Sequence, residues 1–112
     1  MSPWPSELRL DPAKTILTVS FDTGERFSLP AEYLRVESPS AEVQGHSPEQ
    51  KQVVTGKKDV KITAIDPVGN YAVRLSFDDG HNTGLYSWDW LHMLGREMAT
   101  KWTDYLRSQG RR

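Results

Sequence analysis

The chain has no cysteine among its 112 residues. That absence excludes a disulfide framework, a thiolate zinc site, a cysteine-ligated cluster and a cysteine nucleophile. Nor is there an excess of charge, since 14 Lys and Arg stand against 15 Asp and Glu for a formal net charge of −1. No global field draws the chain to nucleic acid or to an anionic membrane. No run approaches the ~18 apolar residues that a spanning helix requires, and the opening "MSPWPSELRL" has neither the basic flank nor the apolar core of a secretion signal. The expectation is a cytoplasmic protein with no nucleic-acid or membrane partner.

What is present suits one globular domain over residues 1–112. Hydrophobic residues make up 37% of the chain and include four Trp, four Tyr and three Phe, while 26% charged residues supply the surface. A chain of this length buries roughly 65% of its unfolded surface without covalent help.

The pattern predicts an α+β fold of short antiparallel strands. "ELRLD" at 7–11 and "ILTVSF" at 16–21 read as strands joined by a turn at Asp11-Pro12-Ala13-Lys14. Asp22-Thr23-Gly24 turns the chain into a third strand, and Ser28 and Pro30 sit at the start of a short helix. Strands at 60–66, 71–77 and 83–86 follow, separated by Pro67-Val68-Gly69-Asn70 and Asp78-Asp79-Gly80. Ser87 is a good cap for a final helix, in which Leu91, Leu94, Met98, Trp102 and Leu106 form one apolar stripe to about Ser108. Gly95 interrupts that stripe, as a break or as a close packing contact. Residues 109–112 read as a frayed basic tail.

The two halves echo each other. Ser20, Phe21, Asp22, Gly24 and Leu29 match Ser76, Phe77, Asp78, Gly80 and Leu85 at a constant offset of 56. If the first Phe-Asp-x-Gly is hairpin chemistry, the second needs an argument before it becomes a site. Between the halves, 37–59 is rich in Ser, Pro, Gln, Gly and charge, without a period. Segments beyond ~12–15 residues of this kind are usually functional or disordered.

His81 lies beside Asp78 and Asp79, where an imidazole near carboxylates either binds a metal, acts as a base, or is plain turn chemistry. His46, in "GHSPEQ", either meets His81 or caps a short turn. His92 faces away from the apolar stripe as a boundary residue. None of the three has Asp two residues on, so a facial iron triad would need distant partners. Gly56-Lys57 lacks both the upstream glycine and the following hydroxyl of a phosphate loop, and Ser38, Ser40 and Ser47 have no nucleophile elbow. Lys51, Lys57, Lys58 and Lys61 form either a basic patch or a solvated loop. Trp4, Trp88, Trp90 and Trp102 read as core or helix-packing residues, with an aromatic recognition surface the alternative for Trp88 if it stands exposed.

"LPAEYLR", "LRVESPSAEVQGHSPEQ" and "IDPVGNYAVRLSFDDGHNTGLYSWDWLHMLG" together resemble the N-terminal domain of gamma-butyrobetaine hydroxylase, as met in small stand-alone bacterial proteins. The resemblance runs from about Leu8 to Gly95 and implies a small mixed domain. In the hydroxylases the iron and 2-oxoglutarate chemistry belongs to a separate, larger domain, so the resemblance does not imply an enzyme. It implies a dimer-contacting module that holds zinc through three cysteines and a histidine. Laid on that pattern, Ser38, Ser40 and Val43 stand where thiolates would be, and His81 is the one matching ligand. A related domain extends some P-loop iron–sulfur carriers, which implies a partner role in cluster assembly.

The expected function is a non-catalytic binding module with no cofactor. Its expected surface joins the 37–59 segment to the two turns of the second half, with His46, Asn70, Asp79, His81 and Trp88 as contacts to a protein partner or a second copy of the chain. The alternative is an accessory protein, linked to an oxidoreductase or to cluster assembly, in which His81 and His46 hold iron or zinc.

Overall fold

The computed structural model describes residues 3–45, 48–51 and 54–111. Strands β1 (Pro5–Leu10), β2 (Ile16–Phe21) and β3 (Arg26–Pro30) form one antiparallel sheet in the order β1-β2-β3, and helix α1 (Ala31–Val36) follows. Strands β4 (Ile62–Val68), β5 (Ala72–Phe77) and β6 (Gly84–Ser87) form a second sheet in the order β4-β5-β6, followed by α3 (Trp88–Arg96). The α+β expectation holds. Pro67 and Val68, expected in a turn, lie inside β4, where proline is tolerated because β4 is an edge strand with one side free of ladder bonds.

The repeat seen in the sequence is architectural down to single hydrogen bonds. Phe21 N–H donates to Glu25 O at 2.8 Å and Gly24 N–H to Phe21 O at 3.0 Å, while Phe77 N–H donates to His81 O at 2.9 Å and Gly80 N–H to Phe77 O at 3.0 Å. Gly24 and Gly80 take φ of +91° and +92°, the left-handed position that closes such a hairpin. Each first aspartate clips the head of its own sheet: Asp22 Oδ1 accepts from Trp4 N–H at 3.2 Å, and Asp78 Oδ1 from Lys61 N–H at 3.0 Å. Phe-Asp-x-Gly is therefore a structural device in both halves.

The central strands supply matching layers of core. Leu17, Val19 and Phe21 of β2 and Val73, Leu75 and Phe77 of β5 are buried in one cluster with Leu29, Tyr33, Leu34, Tyr86, Leu91 and Leu94. Alternate side chains point to one face of a strand, so the period of two places each set inward together. Two phenols fasten the halves across the core. Tyr33 OH donates to Leu94 O at 2.7 Å, and Tyr86 OH to Leu34 O at 2.6 Å.

The segment after α1 is less irregular than its composition suggests. It holds α2 (Ala41–Gln44), capped by Ser40, whose hydroxyl accepts from Glu42 N–H, and a 3₁₀ turn at Pro48–Gln50. Glu37, Ser38, Ser40 and Val43 are buried, so its first part is a wall of the core. The final stripe is two helices, because the chain breaks at Glu97 before α4 (Met98–Ser108). Gly95 is the close contact of the two alternatives, its Cα lying against the Phe27 ring. The tail is tied at Arg111, which ion-pairs with the buried Glu32, itself accepting from Tyr105 OH at 2.7 Å. Among the described residues no helix is long and apolar enough to cross a membrane.

Candidate functional site

The four described residues among the expected contacts fall at two ends of the second sheet. Asn70 and Trp88 stand at one end of the second sheet, and Asp79 and His81 stand beyond the other end of β5. Six residues of strand separate them, about 20 Å at ~3.3 Å per residue. His46 lies outside the described residues.

At the second end, His81 is buried, contrary to both its reading as a surface contact and its reading as an exposed turn residue. The β5–β6 turn aims it inward: Asp79 Oδ1 accepts from His81 N–H at 3.0 Å, and the ring lies 6.1 Å from that of Phe77. Its Nε2 meets Ser38 Oγ at 2.9 Å and its Nδ1 meets Glu42 Oε2 at 3.2 Å. Burial lowers the imidazole pKa and the nearby Arg35 lowers it further, against the opposing pull of Glu42 and Asp79. A neutral ring has one donor and one acceptor. The Glu42 carboxylate can only accept, which puts the ring proton on Nδ1 and leaves Nε2 to accept from Ser38 Oγ–H, while the Ser38 oxygen accepts from Ser40 N–H at 3.2 Å. Beside this line, Ser40 Oγ meets Thr83 Oγ1 at 2.7 Å. Asp79 takes Arg35 Nε at 2.8 Å and Lys57 Nζ at 2.7 Å. Burial pushes the Asp79 carboxyl up, but bonds from Lys57, His81 N–H and Arg35 outweigh it and leave its pKa at about 2. Of the lysines of the expected patch, Lys57 shares Asp79 with Arg35 and Lys51 pairs with Glu37, so these two are tied to carboxylates.

Ser38, His81 and Glu42 stand in the order of a nucleophile, a base and an orienting carboxylate. The chemistry would require a substrate carbonyl to reach Ser38 Oγ and donors to receive the oxyanion. Ser38 is 0% exposed, and Gly84 packs so closely that a Cβ there would sit 2.5 Å from its hydroxyl. The line is a latch that fastens the start of the inter-sheet segment to the β5–β6 turn.

The first end is open. Trp88 Nε1–H donates to Asn70 O at 2.9 Å, which fixes the indole. Trp4 meets it edge to face, with centroids 6.2 Å apart and planes at 69°. The Tyr71 ring lies over Gly69. Trp4 is 50% exposed and Tyr71 54%, and with Ser87, Trp88 and Asp89 they line a cleft of about 330 Å³. Trp90 and Trp102 are packing residues as expected, Trp90 Nε1–H donating to Glu37 O at 3.0 Å and Trp102 lying against Tyr33 and Tyr105. Trp4, read from the sequence as a packing residue, and Tyr71, read as strand and as part of the "NYAV" turn of the expected surface, are lining residues that the sequence does not name as contacts. The available signal was Trp4 standing between two prolines, where Lys61 stands in the other half.

The description "Gamma-butyrobetaine hydroxylase-like, N-terminal" belongs to the family model that matches residues 8–92. The chain belongs to this family. Among solved structures, a crystal structure of a protein of unknown function in the DUF971 family from Acidithiobacillus ferrooxidans ATCC 23270 is 40% identical, with a TM-score of 0.68 over 81% of this chain and 91% of that one. Two solution structures determined by NMR are 48% and 43% identical, both with a TM-score of 0.80 over 99% of this chain, and cover 85% and 90% of theirs. Comparison with curated proteins finds no match.

In this gamma-butyrobetaine hydroxylase-like domain the residues present do not fit the zinc that the resemblance implies. Tetrahedral zinc takes thiolate, imidazole or carboxylate donors. Ser38 and Ser40 offer neutral hydroxyls that are already hydrogen-bonded, Val43 offers no donor, and both nitrogens of His81 are engaged. Among the described residues no group of three His, Asp or Glu could hold a metal ion. Hydrogen bonds engage the polar residues on which the resemblance would place the metal. Protein purified without an affinity tag is expected to carry far less than one equivalent of zinc or iron by elemental mass spectrometry. Stoichiometric metal that vanishes in His81→Ala would overturn this account.

Proposed function

We propose that the domain is a non-catalytic protein-interaction module whose working surface is the aromatic end formed by Trp4, Tyr71 and Trp88. The observation that carries this reading is an asymmetry between the two halves. Ala31 N–H donates to Thr15 O at 2.7 Å just as Trp88 N–H donates to Tyr71 O at 3.2 Å, and Lys61 O receives Asp78 N–H just as Trp4 O receives Asp22 N–H. At the corresponding corner of the other half, Lys61, Thr15 and Ala31 therefore stand where Trp4, Tyr71 and Trp88 do. The fold forms that corner without any aromatic side chain. Large aromatics that the architecture does not require, half exposed around a cleft, mark a contact surface.

The test is capture from cells that express the protein. Trp4→Ala and Tyr71→Ala remove half-exposed side chains and are expected to change stability by no more than about 1 kcal/mol. Each should abolish capture of the partner that the unaltered protein retains. Identical partner yields from both variants would end this reading.

A further inference from the structure

We propose that the aromatic end is a receptor for an arginine side chain carried by the partner protein. The inference rests on the reading of that end as the contact surface and names the chemistry it accepts.

The first observation is the way the Trp88 indole is held. In the first half, Lys14 O accepts from Ile62 N–H at 2.9 Å. The matching carbonyl in the second half is that of Asn70, and the matching donor position is Pro5, which has no N–H. Trp88 Nε1–H supplies the missing bond to Asn70 O. The indole donor is spent inside the protein, so Trp88 brings a fixed ring and no free N–H to the cleft. The second observation is the set of walls. Trp4 and Trp88 stand close to perpendicular, and Tyr71 is propped on Gly69 beside them. Ring faces carry negative quadrupole potential and attract cations within about 6 Å of the centroid.

Charge then selects the occupant. Among the described residues Asp89 is the one charged side chain lining the cleft, and it makes no ion pair with any of them. A carboxylate in the first turn of α3 also suits the helix dipole, but it is the aromatic corner in front of it that makes a receptor. Among the described residues no lysine or arginine lines the cleft to repel a cation. A planar guanidinium can stack on one ring while its fork reaches a carboxylate, which a compact ammonium cannot do.

The experiment uses the full chain labelled with ¹⁵N. Acetyl-Gly-Ser-Arg-Ser-Gly-amide is titrated while the four indole resonances are followed, with the citrulline peptide as the uncharged control of nearly the same shape. The expected result is a saturable shift of the Trp4 and Trp88 resonances at millimolar peptide, with Trp90 and Trp102 unmoved. Asp89→Asn, whose fold is checked by circular dichroism, should weaken the arginine peptide about 2- to 5-fold, the scale of one exposed charge pair. No saturable shift, an equal response to citrulline, or an unchanged affinity in Asp89→Asn would each overturn the proposal. If it falls while Trp4→Ala and Tyr71→Ala still abolish partner capture, the contact surface stands and its occupant is uncharged. If capture is also indifferent to those substitutions, the contact surface falls with it.

Discussion

His81→Ala is expected to lower unfolding stability by about 2–4 kcal/mol, the combined scale of a buried side-chain cavity and a buried hydroxyl left unpaired. The substitution removes the centre of the latch, so Ser38 loses the acceptor of its proton and Glu42 loses its imidazole partner. For a domain of this size the melting temperature should fall by roughly 10 °C or more. The same side chain sets a pH dependence. Burial and Arg35 depress the folded pKa of His81 below the model-peptide value of 6.5, so the unfolded chain binds the proton more readily. The contribution of His81 is complete above that value and is lost as pH falls from 6.5 through the folded pKa. Asp79, held at about 2 against an ordinary 3.8, gives a second loss in the same direction between those two values. Melting followed by circular dichroism should show both steps in the unaltered protein. His81→Asn should lack the upper one, and an identical slope between pH 7 and 5 in the two proteins would contradict the latch.

Gly95→Ala is expected to destabilise the domain although it replaces the poorest helix former after proline with the best. Propensity alone favours alanine by about 1 kcal/mol. An alanine Cβ at this position, however, would lie 2.4 Å from two atoms of the Phe27 ring and 2.9 Å from a third. Phe27 cannot swing away freely, because it packs edge to face on Phe21 and against His92 within the same layer. Overpacking of this kind costs about 1–3 kcal/mol. A net loss near 1–2 kcal/mol is therefore expected by denaturant titration. A gain would mean that α3 stands farther from the first sheet than the structure shows.

The sequence made some of this legible and hid the rest for identifiable reasons. Period-two alternation in "ILTVSF" and "YAVRLSF" places both core strands, because burial of one face leaves no other register. The Phe-Asp-x-Gly echo identifies both hairpins, since each needs glycine at one left-handed position. The terminal helical stretch is where the stripe places it, and its break at Glu97 is hidden because the apolar stripe continues through that residue. Pro67 misled in the same way, as an edge strand accommodates a residue that would break a central one. At the candidate site, alignment to the family pattern put Ser38, Ser40 and His81 together, and the structure brings them within hydrogen-bonding distance or one bond of it. Whether His81 faces water or the core depends on Asp79 and on the closeness of Gly84, and neither follows from spacing. That Trp4 and Tyr71 line a cleft with Trp88 is not legible in the sequence, because a cleft between residues 4, 71 and 88 exists only after both sheets have formed.

The protonation state of one ring tests most directly the claim that His81 is a buried, hydrogen-bonded latch and not a metal ligand. The ¹⁵N shifts of the His81 imidazole should report a neutral ring protonated at Nδ1 at pH 7, with a titration midpoint below the ordinary histidine value. They should not move when one equivalent of zinc chloride is added. A midpoint near 6.5 with averaged tautomers, or a zinc-dependent shift at either nitrogen, would contradict the account.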